Sequence, residues 1–373
     1  MLDAGRHPNI EILAYSEVES VKGRAGAFTA KVRRKARFIN EELCNACGDC
    51  MAKCPRKVPD DFDMHLRDRR AVYLYFAQGI PAVATIDKDH CTYFEKGKCR
   101  LCERVCQKEA VDFEQKDKIL NLSVDAIVVA TGLDVFDPTP MTQYGYGRIK
   151  NVITGLEYER LINATGPTGG HLYRPSDGTL AKKVAYIQCV GSRDLNYCKH
   201  CSSVCCMYAI KDAMLAREHD VEANSHIFHT DFRNVGKWFQ EYEQKGKDLY
   251  GINYVRGRVG EVQEDKDGNP VVWYEDTQKR EVKSLTFDLV VLSVAAMPAK
   301  GSEELAKILG IELDDSGFVR VRAGEPADTS RPGIFSCGFC NGPVDIPESV
   351  SQASAAAMRV AETILPQVKV ASG

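Results

Sequence analysis

The cysteines between positions 44 and 106 constrain this chain more than any other feature. Cys44-Asn45-Ala46-Cys47-Gly48-Asp49-Cys50-Met51-Ala52-Lys53-Cys54-Pro55 is a C-x2-C-x2-C-x3-C-P run, the spacing that wraps a cubane iron–sulfur cluster. Two-residue gaps let a tight loop turn three thiolates into one concave site, while backbone amides offset the negative charge of the inorganic sulfides. In paired sites the fourth cysteine ligates the other cluster, and the proline behind it closes the run because it has no amide proton. A second half follows: Cys99, Cys102 and Cys106 repeat the x2 and x3 gaps, with Cys91 upstream. Cross-ligation then assigns Cys44, Cys47, Cys50 and Cys106 to one [4Fe–4S] site, and Cys91, Cys99, Cys102 and Cys54 to another. The second half departs from the pattern in the longer spacer after Cys91 and in Gln107, which stands where proline is usual. Structural zinc also uses C-x2-C pairs, but four ligands satisfy it; two matched runs point instead to iron and sulfide.

At 373 residues the chain has room for two or three domains, and a net charge of −3 with acids and bases interspersed leaves no basic patch for nucleic acid. The longest apolar runs, Ala126–Ala130 and Leu289–Leu292, have the length of strands and predict no membrane span. Asp3, Arg6 and His7 interrupt any apolar leader, and fifteen cysteines without one suggest a reducing compartment, so a cytoplasmic location is expected.

The remaining pattern is α/β. Ile10–Tyr15 and Ala27–Arg34 read as strands, the second by period-two alternation. Val124–Val129 closing on Ala130-Thr131-Gly132 is a strand whose glycine admits close approach by a dinucleotide. Val184–Val190 is a buried strand, Cys206–His219 a helix and Ser225–His229 a further strand; Val271–Tyr274 and Leu289–Ser293 suggest hairpins returning to the sheet. The stretch between the cysteine runs, with His65, reads as an insertion packed beside them that carries no chemistry.

After the Val184–Val190 strand a nicotinamide site would need Gly-x-Gly-x-x-Gly, because pyrophosphate rests on bare backbone at a helix N-terminus. The turn reads Val190-Gly191-Ser192-Arg193-Asp194 instead, which argues against a stand-alone NAD-linked reductase. A third cysteine group stands there: Cys189, Cys198, Cys201, Cys205 and Cys206. A further [4Fe–4S] site is favoured over zinc or a redox dithiol, and spacing alone leaves its ligands open. Near the end, Ile334–Ser336 is a short strand followed by Cys337-Gly338-Phe339-Cys340 and an alanine-rich helix able to pack close to a sheet. Cys337 and Cys340 read as core thiols or as a redox pair.

Taken together, Gly5–Ile10, Tyr15–Val18, both cysteine runs, Val129–Gly132, Cys189–Asp194, Cys201–Ala209 and Gly342–Ala357 resemble the HdrA family, one of the subunits of heterodisulfide reductase. The resemblance implies a thioredoxin-reductase-like FAD/NAD(P)-binding fold with an inserted ferredoxin-like (α+β) two-cluster domain. The implied division is residues 1–40 as partial flavoprotein strands, 41–115 as the ferredoxin-like domain and 116–182 as flavin-domain return and linker. Residues 183–300 would be a nicotinamide-type domain carrying the third cluster, and 301–373 a flavin-binding segment. It also implies Cys189, Cys201, Cys205 and Cys206 as third-cluster ligands, with Cys198 spare, and Thr131, Gly132, Gly338, Gln352 and Ala353 beside the flavin. Two departures stand out. The chain begins after the glycine-rich FAD-binding start of the family, so FAD would need a partner chain to complete its site. Phe339 also stands where related flavoproteins carry an aspartate. The implied function is an oxidoreductase subunit that relays or bifurcates electrons within a hetero-oligomer. Its implied partners are HdrB- and HdrC-like subunits and a hydrogenase- or formate-dehydrogenase-linked small subunit. The alternative is a non-catalytic, cluster-bearing scaffold in a larger assembly such as a benzoyl-CoA reductase type.

Overall fold

The computed structural model describes residues 2–371, and the chain divides into two compact units at Asp125/Ala126. In the first unit, Ser16–Arg24, Ala27–Arg34 and Lys118–Val124 form a three-stranded antiparallel sheet. The alternation of the middle strand buries Phe28, Ala30 and Val32 and leaves lysine and arginine outward, so one face of the sheet is apolar. Gly26, at φ +77° as the second residue of the two-residue turn between the first two strands, takes the left-handed backbone that a type II turn requires there.

Between the second and third strands of that sheet lies the cysteine-rich module. It has little regular structure: the short helices Asp49–Lys53, Thr92–Lys96 and Leu101–Val105, and two small ladders, Lys57–Pro59 with Asp68–Arg70 and Val72–Tyr73 with Thr85–Ile86. The Ile39–Val111 bridge and the hydrogen bond from Asp112 N–H to the Phe38 carbonyl, at 3.0 Å, tie its beginning to its end. Its core interleaves Phe38, Ile39, Val72, Ile86 and Phe113 with Cys54, Cys91 and Cys102. Cysteine therefore takes positions that Leu or Ile would fill in an ordinary core.

The second unit holds a seven-stranded sheet ordered Val152–Thr154, Leu289–Val294, Lys183–Val190, Asn224–His229, Asn253–Glu264, Pro270–Asp276, Glu281–Thr286. The first five strands run parallel and the last three form an antiparallel meander. Leu289–Val294 is buried at every residue and Lys183–Val190 at nearly every one, as a strand covered on both faces must be. Helices Cys205–His219 and Phe239–Tyr250 are the crossovers, so the loops at the C-terminal ends of the strands collect along one edge. A smaller four-stranded sheet, Val321–Arg322, Glu325–Thr329, Ile334–Ser336 and Ile127–Val129, packs against helix Ile346–Ala371 through Ala327, Phe335, Cys337 and Ala356. Among the described residues, no helix is long and apolar enough to cross a membrane.

Two local expectations are corrected. Ile10–Tyr15 forms no strand: its backbone has no ladder partner, Tyr15 turns to φ +57°, and the strand begins at Ser16. Leu289–Ser293 is no hairpin arm but an inner parallel strand between Val152–Thr154 and Lys183–Val190, because its apolar run suits burial on both faces. The Val271–Tyr274 hairpin, by contrast, is present within Pro270–Asp276.

Helix Gly155–Leu161 leaves the edge strand through a reciprocal cap: the Thr154 side chain accepts from Glu157 N–H at 3.3 Å, and Glu157 accepts from Thr154 N–H at 2.6 Å. Thr154 is buried, so its truncation leaves an amide donor without a partner. Thr154→Ala is expected to lower unfolding stability by about 1 kcal/mol, measured by chemical denaturation, while Thr154→Ser retains most of it.

Candidate metal centres

Local backbone shapes the first thiol loop. Ala46 and Gly48 take left-handed conformations at φ +57° and +90°, which folds the Cys44–Cys50 segment tightly before helix Asp49–Lys53 begins. The Cys44 and Cys47 amides are tied down by the Asn40 carbonyl at 3.1 Å and the Asn45 side chain at 3.3 Å. Cys44, Cys47 and Cys50 then line a cavity of about 70 Å³, and Cys106 from the second run completes the thiol wall. Ile39, Met51, Leu74, Ala84, Ala110 and Val111 supply the apolar remainder.

Cys54, the fourth cysteine of the first run, is not there. It lines a separate cavity of about 20 Å³ with Cys91, Cys99 and Cys102. The short helices Asp49–Lys53 and Leu101–Val105 pack together. Each carries its run's terminal cysteine across to the other run's cavity. Burial pushes the Cys50 thiol up to about 11, with Cys44, Cys47 and Cys106 adding to the rise. Burial likewise raises Cys102 to about 12, reinforced by Cys91. These thiols hold their protons near neutrality unless a cation displaces them.

The third group sits at the C-terminal edge of the large sheet. Cys189 is the penultimate residue of its strand, at φ +61°; Cys205 and Cys206 open the crossover helix; Cys201 lies in the loop between, accepting from Ser203 N–H at 3.4 Å. Cys206 is held down at about 7 chiefly by its hydrogen bond with Cys205, helped by Arg233 N–H at 3.5 Å. Cys205 is raised by that same bond and by burial, with Cys189 and Cys201 near enough to add to it. Cys198 stands apart, buried and donating to the Met297 sulfur at 2.9 Å. Arg193 and Asp231, which the spacing of cysteines did not single out, ion-pair beside Cys189.

Among the described residues, no three His, Cys, Asp or Glu side chains close around a point as ligands of one metal ion would. The eight thiols of the first two groups line cavities instead, four to each; a donor set of soft sulfur fits an iron–sulfur cluster better than a hard cation. His65 is exposed, bound to Asp61 at 2.7 Å, and lines neither of the two thiol cavities. Cys337 and Cys340 are buried; Cys340 donates to the Val129 and Cys337 carbonyls at 3.3 and 3.2 Å.

Of the residues that the resemblance sets beside a flavin, Thr131, Gly132 and Gly338 follow strand ends of the smaller sheet, and Gln352 and Ala353 lie on helix Ile346–Ala371. Gly132, at φ +72°, follows Ile127–Val129, and a Cβ there would meet nothing within 4 Å. Gly338 follows the parallel Ile334–Ser336 strand and donates its N–H to Gln352 Oε1 at 2.8 Å, so strand end and helix are linked. Thr131 and Ala353 are exposed.

Fold and thiols together define a mixed α/β protein with paired ferredoxin-type cysteine cavities and a further thiol group at a parallel sheet's C-terminal edge. No protein-family model matches the chain. Its sequence is 43% identical to the HdrA subunit of the H2:CoB–CoM heterodisulfide,ferredoxin reductase of Methanothermobacter thermautotrophicus, over 99% of this chain and 55% of that relative. The identity is 45% to an HdrA iron–sulfur subunit of the CoB–CoM heterodisulfide reductase of Methanopyrus kandleri, over 98% and 55%. It is 43% to the corresponding iron–sulfur subunit of Methanocaldococcus jannaschii, over 96% and 55%. Over the stretch it spans, the chain belongs to the HdrA family of heterodisulfide reductase subunits, and it spans about half the length of these curated relatives. Similar solved structures include the thioredoxin reductases of T. acidophilum, with TM-score 0.42, 17% identity and coverage of 67% of this chain and 69% of that one, and of Lactococcus lactis, with 0.42, 16%, 79% and 86%.

The exchange of Cys54 and Cys106 between cavities generates a direct test. Cys106→Ser is expected to abolish the centre lined by Cys44, Cys47 and Cys50, removing about four irons per chain, and to leave the other. Cys54→Ser is expected to do the converse. Electron paramagnetic resonance of each anaerobically purified variant separates this from uncrossed ligation, in which the signals lost would be swapped.

Proposed function

We propose that the chain is an iron–sulfur portion of a heterodisulfide-reductase-like oxidoreductase, passing electrons between a flavin and partner subunits. The observation that carries this reading is the crossed placement of Cys54 and Cys106, which puts four thiols on each of two apolar cavities. Cys44, Cys47, Cys50 and Cys106 would hold one [4Fe–4S] cluster, Cys54, Cys91, Cys99 and Cys102 a second, and Cys189, Cys201, Cys205 and Cys206 a third. Bound clusters of this kind accept and donate single electrons at potentials set by their surroundings.

What the chain itself contributes is the setting. Apolar side chains make up much of the lining of the first two cavities, and the backbone N–H groups of Ser203 and Arg233 donate to thiols of the third group. Such hydrogen bonds stabilise the more negative state and so favour reduction. Thr131 and Gly132, with Gly338, Gln352 and Ala353, would face the isoalloxazine of an FAD. Open backbone at Gly132 and the Gly338–Gln352 link support that role.

The partners would be further redox subunits, of the kinds for which related complexes are named: hydrogen- or formate-linked, and acting on heterodisulfide and ferredoxin. Whether electrons are relayed in line or split between acceptors of different potential is decided in that assembly.

Iron, sulfide and flavin counted on anaerobically purified material test this. About twelve irons per chain with matching sulfide are expected, and flavin is expected to co-purify with the complex. Zinc in place of iron, or a complex without flavin, would sink the corresponding part.

A further inference from the structure

The loop that carries the third thiol group also carries a charge pair, and its position is unusual. Arg193 lies four residues after Cys189, in the turn where a dinucleotide-binding protein would have its glycines. Its backbone is held left-handed at φ +54° while its N–H donates to the His200 carbonyl at 3.0 Å. Cys189 at φ +61° and Ser203 at φ +62° share this conformation, so three non-glycine residues around one thiol group are in a sparsely populated region. Strain of this sort persists only where surrounding contacts over-determine it.

Those contacts aim the Arg193 side chain. Nη1 stands 4.0 Å from Cys189 Sγ and 3.5 Å from Thr230 Oγ1. The same guanidinium engages both carboxylate oxygens of Asp231, with Nη2 to Oδ2 at 3.2 Å. Thr230 and Asp231 follow the neighbouring parallel strand, Asn224–His229, and two residues on Arg233 N–H reaches the Cys206 sulfur at 3.5 Å. One loop therefore anchors the arginine and touches the thiol group. The fork is bidentate and planar, a geometry that lysine cannot reproduce.

We propose that the Arg193–Asp231 pair is an electrostatic positioning device that sets the reduction potential of the third centre, with the arginine as its positive end against Cys189. This rests on the reading that Cys189, Cys201, Cys205 and Cys206 hold a cluster. A thiolate-ligated cluster gains one negative charge on reduction, so a fixed positive charge beside a ligand favours the reduced form and raises the potential. Asp231 moderates that effect by neutralising part of the charge. The Arg193 side chain is 28% exposed, so solvent screens it only in part. The two partners consequently act with opposite signs, which a purely structural brace would not do.

The experiment is a potentiometric titration followed by electron paramagnetic resonance on the anaerobically purified protein. The third signal is identified by its loss in Cys189→Ser. Arg193→Gln removes the positive end and leaves Asp231 uncompensated; the third midpoint is expected to fall by the equivalent of about tenfold in the reduction equilibrium, or about 59 mV for one electron. Asp231→Asn is expected to shift the same midpoint upward, and Arg193→Lys to stay between wild type and Arg193→Gln. The other two midpoints should not move. If Arg193→Gln fails to retain the third centre, the upward shift in Asp231→Asn still supports the assignment. Midpoints that stay put in both variants, or that move in the same direction, overturn it. Only two titrating centres in the wild-type protein would instead overthrow the third-cluster reading, and the role of the pair with it.

Discussion

Thiols buried in a low-dielectric interior resist ionisation, and that resistance is the constraint on which this architecture turns. In the cysteine-rich module burial, more than any other influence, carries Cys50 and Cys102 far above the ordinary thiol range. Those two thiols stay as protonated, weakly polar fillers, or surrender their protons to a soft cation that offsets the charge. The surrounding structure is correspondingly spare. Three helices of a single turn or so and two short ladders enclose the cavities, and the hydrophobic core is built partly from the cysteines themselves. A module so thin in regular structure would gain much of its rigidity from a cluster bound to its thiols, as small metal-binding folds generally do.

The second unit solves a different problem with different means. Its large sheet is rigid because its inner strands are apolar on both faces, and that rigidity fixes where loops emerge. Parallel strands joined by right-handed crossovers deliver successive loops to one edge. Here that edge receives Cys189 from one strand, Thr230 and Asp231 from its neighbour, and Cys205 and Cys206 from the helix between them. Where a dinucleotide-binding sheet would present glycine and bare backbone, this one presents sulfur, a guanidinium and a carboxylate. The electrostatics differ accordingly: Cys206 is pulled down by its hydrogen bond with Cys205, whereas Cys189, Cys205 and Cys198 are all raised.

Some of this was legible in the residues alone and some was not. The alternation of Ala27–Arg34 identified a half-buried strand, since a period of two is a local property of the pleat. The apolar run at Leu289–Ser293 identified a strand too, but not its partners: whether a run joins a hairpin or an inner parallel position depends on helices far away in sequence. Ile10–Tyr15 had the composition of a strand and lacked a neighbour to pair with, so its amides found no ladder. Arg193 was visible only as one residue of a turn. Its carboxylate partner sits thirty-eight positions later, brought near by strand adjacency.

Sequence by itself determined the chemistry: sulfur donors at x2 and x3 spacings, a glycine-poor turn where pyrophosphate would need glycine, and strands apolar enough to be covered on both sides. Those are matters of local geometry and side-chain type, settled within a few residues. The exchange of Cys54 and Cys106 between the two runs also followed from the spacing, and the two cavities carry it out. Tertiary structure decided which charge faces which thiol: it set Asp231 against Arg193, because that pairing depends on how two parallel strands lie against one another.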